Sequence, residues 1–158
     1  MTRFDIDGLA RIALLFLSGD DLEHVLVDRR LYTDYDFDAF NRLKAVLTKV
    51  ERLEPNLDVS AILWRLFPGN PYLAEPLIAG NALPNTSWWR TASNEPMRKA
   101  GLDGENTVYE WKGRGVSHYY PVRNGDEDIV GVLELLAGRN ERADVASSDM
   151  FVERAEED

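Results

Sequence analysis

Phe37, Phe40, Leu43, Val46, Leu47, Val50 and Leu53 recur at three- and four-residue spacing and lay one apolar stripe along a helix. Asp34 or Asp36 can cap its start, and Asp38 sits in the first turn, where the helix dipole favours negative charge. Lys49 and Arg52 lie near the other end, and Pro55-Asn56 stops the helix. Such a stripe has to be covered. From Asp58 the period changes: Val59-Ser60-Ala61-Ile62-Leu63-Trp64-Arg65-Leu66-Phe67 reads as a strand apolar on both faces, as a central strand is. The chain must therefore pack a helix against a sheet.

The remaining segments fit around that pair. Ile6, Leu9, Ile12, Ala13, Phe16 and Leu17 predict a first helix over 6–17, ended by Gly19, and 22–31 is a second helical candidate before a turn at 32–36. Pro68-Gly69-Asn70-Pro71 is a turn. Tyr72 to Ala79 can return as a strand, but Pro76 confines it to an edge or an irregular stretch. Residues 81–106 read as a long connection with a short helix from Glu95 to Ala100, ending at Gly101. Strands follow at 107–112, 116–123 and 129–136, with turns at Gly113-Arg114-Gly115 and Asn124-Gly125. Neighbouring strands usually pair, so the expectation is an α+β fold with an antiparallel sheet of about five strands and the N-terminal helices packed on one face. One domain over 1–138 is expected. The last 20 residues hold seven acids and three arginines and read as a disordered or loosely helical tail, 139–158.

Charge and composition exclude several functions. A net charge of −10 repels phosphate backbones and anionic lipid, so neither nucleic acid nor an anionic membrane is an expected partner. No cysteine is present, which rules out disulfides and thiolate chemistry. The apolar run Leu9–Leu17 contains Arg11, lacks a cleavage site and is too short to span a bilayer. The expected compartment is cytoplasmic if the chain is complete and extracytoplasmic if it is an excised receptor domain. His24 and His118 show no metal-ligand spacing, and neither a phosphate loop, a dinucleotide fingerprint nor a nucleophile elbow occurs. No cofactor, no metal and no catalytic role are expected.

The order of a long helix, "LEPNLDVSAILWRL", a hairpin, "SWWRTASNEPMRKA" and "GVSHYYPVRNGDEDIVGVLELL" resembles a Cache domain, a PAS-like sensor domain. Tyr119-Tyr120-Pro121-Val122, Asn124-Gly125-Asp126 and Val130-Gly131-Val132-Leu133 carry the resemblance at the C-terminal end, and Trp88-Trp89-Arg90 carry it in the middle loop. The resemblance implies a PAS-like sheet and a small-molecule-sensing module of a signal-transduction system. A GAF-like or PAS-like interaction or adaptor domain with no small ligand is the alternative.

For a ligand site, Trp88 and Trp89 can build an aromatic wall in the long connection, with Arg90 available to a carboxylate or phosphate. Tyr109 and Trp111 share one face of their strand. Tyr119 and Tyr120 point to opposite faces, so only one of them can join that pair. A small organic ligand, carboxylate-bearing molecules included, would lie between the sheet and residues 81–106. For each of these aromatics, ordinary core packing competes with ligand contact. A homodimer through the N-terminal helices is the expected route of output. Arg65, inside an apolar strand, either reaches solvent or pairs with an acid; the cost of burying an unpaired charge favours solvent.

Overall fold

The computed structural model describes residues 4–31, 37–80, 91–113 and 115–138. Helices α1 (Ile6–Phe16), α2 (Gly19–Leu31) and α3 (Phe37–Leu53) come first. A 3-10 turn at Pro55–Leu57 leads into strands β1 (Ser60–Phe67) and β2 (Asn70–Ala79). The two-residue strand β3 (Thr91–Ala92) precedes a short helix α4 (Glu95–Arg98), which widens into a π-type turn over Lys99–Asp103. Strands β4 (Thr107–Glu110), β5 (Val116–Arg123) and β6 (Ile129–Ala137) complete one antiparallel sheet in the order β3-β2-β1-β6-β5-β4. This is the expected α+β fold, with the two-residue β3 added to the five longer strands. The predicted turn at 32–36, Arg114 and the tail 139–158 lie outside the described residues.

The three helices cover one sheet face. Leu43, Leu47 and Val50 of α3 are buried there against Ala61, Leu63, Leu133 and Leu135 of the two central strands. The flank of α3 is polar and grips β1 and the end of β2: Lys44 Nζ donates to Ala79 O at 2.9 Å, Thr48 Oγ1 to Gly80 O at 3.1 Å, and Glu51 Oε2 accepts from Ala61 N at 2.8 Å. One helix thus buries its stripe and satisfies backbone groups beside the stripe, as burial of strand ends requires.

Two details depart from expectation. Gly19 does not end α1. That helix stops at Phe16, with Leu17 already extended, and Ser18 Oγ caps the start of α2 by accepting from Asp21 N at 3.0 Å. Gly19 is the first residue of α2, where a Cβ would lie 2.1 Å from Arg123 O; the missing side chain lets α2 touch the β5–β6 hairpin. Nor does Gly101 end the short helix: it continues to Asp103, and a Cβ at Gly101 would meet Leu66 Cδ1 at 2.6 Å. Both glycines serve close approach.

Arg65 is also corrected. Its side chain is only 20 % exposed and pairs with Glu75, its register partner on β2. An ion partner on the neighbouring strand removes the cost that favoured solvent.

Candidate functional site

The second sheet face is where a ligand was expected. Alternation along β5 sends Tyr119 to this face and Tyr120 to the helical face, and both are buried. Tyr109 and Trp111 lie on the same face as Tyr119, with the rings of Tyr109 and Trp111 edge to face at 4.7 Å. Trp64, Met97, Ala100, Val132 and Leu136 belong to the same buried cluster. Trp88, Trp89 and Arg90 lie outside the described residues, so the aromatic group brought together here is Tyr109, Trp111 and Tyr119.

At the centre stands a carboxylate that the sequence reading passed over. Glu134 lies in the apolar strand β6 and is 1 % exposed. Trp64 Nε1 donates to its Oε1 at 2.7 Å, and Ser117 Oγ donates to its Oε2. Trp111 Nε1 in turn donates to Ser117 Oγ at 2.7 Å. Two indoles, one hydroxyl and one carboxylate therefore form a continuous chain across β1, β6 and β5 to the residue after β4. Register explains it: Ser117 is opposite Leu136 and Tyr119 is opposite Glu134, so the serine and the acid are diagonal neighbours on one face. The signal available in the sequence was a lone acid inside the run Ile129–Leu136.

The connection before β4 is pinned to the same face. Asn94 caps α4 through Oδ1, which accepts from Met97 N at 2.8 Å, while its Nδ2 donates to Tyr119 OH at 2.9 Å. Thr107 Oγ1 donates to Pro96 O at 2.6 Å. Arg98 donates to Ser93 O and lies over the Tyr72 ring, 4.7 Å from its centroid. The short helix is thereby fixed against the sheet by side chains from both ends.

On the helical face, Tyr120 OH donates to Asp7 Oδ1 of α1 at 2.7 Å. Burial, then this hydrogen bond and the Asp7 charge, push the phenol well above its usual range. Half-buried His118 stands on the same side of β5. Burial lowers its imidazole below the ordinary value, and the nearby charge of Asp7 opposes this only in part. Ser117 and His118 therefore face opposite ways and form no catalytic pair. Among the described residues no group of three or more His, Asp or Glu could hold a metal ion, and no helix is long and apolar enough to cross a membrane.

No family model matches the chain, and no curated protein matches it. Its backbone is similar to two solved GAF domains. One is the A. aeolicus nlh2 GAF domain in an inactive state, at 16 % identity and a TM-score of 0.43, covering 80 % of each chain. The other is described as the structure of the GAF domain, at 10 % identity and a TM-score of 0.46, covering 87 % of this chain and 85 % of that one. Both are GAF rather than Cache domains, and likeness at this level concerns the arrangement of the backbone alone.

Proposed function

We propose that the chain is a non-catalytic interaction or adaptor domain of a signal-transduction type, whose aromatic sheet face is a structural core and not a ligand pocket. The chain of hydrogen bonds from Trp111 through Ser117 and Glu134 to Trp64 is the observation that supports this most directly. A small-molecule site keeps a few polar groups aimed at its ligand. Here the polar atoms at the centre of the face, those of Trp64, Glu134, Ser117 and Trp111, are aimed at one another, and Tyr119 OH is engaged by Asn94. A ligand polar enough to be recognised there would have to displace these partners, at about 1–3 kcal/mol for each group left orphaned. The net charge of −10 favours a basic protein partner, since complementary fields speed encounter and suppress wrong pairings.

Thermal shift against a metabolite panel tests this reading: no metabolite should raise the Tm. Deleting 139–158 should abolish partner capture. A metabolite that stabilises the fold by several degrees overturns it.

The edge-to-face pair Tyr109–Trp111 supports a second reading, small-molecule sensing of the Cache-like kind. In it these rings, together with Trp88, Trp89 and Arg90, line a site for an organic, carboxylate-bearing ligand. Under that reading Trp88→Ala with Arg90→Ala removes the metabolite response and deletion of the tail does not.

A further inference from the structure

The ladder between the two central strands is incomplete. It runs from Ser60–Leu136 to Trp64–Val132 and ends there. Beyond that point each strand stays with its outer neighbour: Arg65 with Glu75 and Leu66 with Ala74 on one side, Gly131 with Val122 and Ile129 with Arg123 on the other. The sheet therefore parts between β1 and β6 at one end. A cleft of about 260 Å³ occupies the parting, walled by half-buried Leu66, Phe67, Ile129 and Val130, with the 57 % exposed Leu102 among its lining. Arg65 also lines it. Its terminal nitrogen pairs with Glu75, while its Nε is buried with no hydrogen-bond partner among the described residues.

We propose that this cleft is a docking site for a short extended segment of a basic partner protein, which inserts one aliphatic or aromatic side chain between β1 and β6. The proposal rests on the interaction-domain reading and names its surface. Four features specify the occupant. The volume is below the roughly 300–1,000 Å³ of small-molecule pockets and suits a single anchoring side chain. The walls are apolar. Strand ends that leave their ladder offer an edge along which an extended backbone can lie. Exposed acids border the lining residues in sequence, Asp103 beside Leu102 and Asp126, Glu127 and Asp128 before Ile129, and they match Lys or Arg flanking the anchor.

The test pans a phage-displayed library of random short peptides against the full chain and against Leu102→Trp, a change at an exposed position that narrows the cleft without entering the core. The expected result is enrichment of peptides with an apolar anchor flanked by Lys or Arg. Leu102→Trp should bind them roughly tenfold more weakly. Adding an enriched peptide to the isotope-labelled chain should move the amides of 65–67 and 129–132. Panning that enriches nothing, peptides that Leu102→Trp holds as tightly as the parent, or shifts that fall elsewhere each overturn the cleft. Peptides held tightly elsewhere overturn the cleft and leave the interaction-domain reading standing. A stabilising metabolite overturns that reading and leaves the peptide result at the cleft to be judged by the same shifts.

Discussion

Trp64 and Glu134 are 70 residues apart in the chain, yet the indole Nε1 and the carboxylate Oε1 meet at 2.7 Å in the interior of the sheet's second face. Neither group reaches water: Trp64 is 0 % and Glu134 1 % exposed. Glu134→Gln keeps the shape but replaces one acceptor oxygen by an NH2 group that cannot accept from Trp64 Nε1 or Ser117 Oγ, and should cost about 1–2 kcal/mol. Glu134→Ala orphans the Trp64 N–H and the Ser117 hydroxyl and opens a void, and should cost about 3 kcal/mol or more. Denaturant unfolding measures both. In a double-mutant cycle, Trp64→Phe combined with Glu134→Leu should cost less than the sum of the single changes, because both remove the same bond.

Gly19→Ala should be among the most damaging small substitutions, at about 2–4 kcal/mol by unfolding. The added methyl would lie 2.1 Å from a backbone carbonyl, that of Arg123, which cannot rotate away as a side chain can. Gly69→Ala is the useful contrast: its Cβ meets nothing within 4 Å, so only the cost of its positive φ of 83° applies.

Tyr120→Phe removes the contact that ties α1 to β5 and should lower stability by about 1 kcal/mol. Amide exchange should show the loss concentrated in α1, which then opens more often than α3.

The depressed imidazole of His118 gives stability a definite pH dependence. Burial lowers its pKa, so below the ordinary value of 6.5 the unfolded chain binds a proton that the folded chain resists. Stability from this group is complete above that value and falls as the pH drops through it. The Tm should decline from pH 7.5 towards pH 5.5, a range chosen to span roughly the ordinary histidine pKa, and His118→Gln should flatten the decline. Asp7→Asn, by removing the opposing charge, should steepen it.

Leu15 and Phe16 at the end of α1 are 81 % and 69 % exposed, an apolar pair suited to the homodimer expected through the N-terminal helices. Leu15→Glu with Phe16→Glu should leave the Tm nearly unchanged and convert any dimer to monomer by light scattering. A parent chain that is already monomeric at high concentration removes this interface.

Much of the fold could be read from periodicity because periodicity is local. The stripe from Phe37 to Leu53 announced α3, and the apolar run from Val59 announced a central strand, since burial on both faces leaves few polar positions. The aromatic site was legible only in part. Strict alternation separated Tyr119 from Tyr120, but it could not say which tyrosine faces the helices. Glu134 escaped notice because an acid in an apolar strand has no local partner: those that make its burial tolerable come from β1 and β5. Arg65 was misjudged for the same reason, since Glu75 lies across a hairpin whose register is interrupted by bulges.

The stripe along α3 and the change of period after Asp58 thus required, by themselves, a helix layer on a sheet and set the order of the elements. Both follow from hydrophobic burial within a few residues of chain. Only the tertiary structure decided that the second face closes on a buried carboxylate, and that β1 and β6 part beyond Trp64 and Val132. Those outcomes depend on the register between strands far apart in sequence, and register sets which polar atoms meet and which edges remain open.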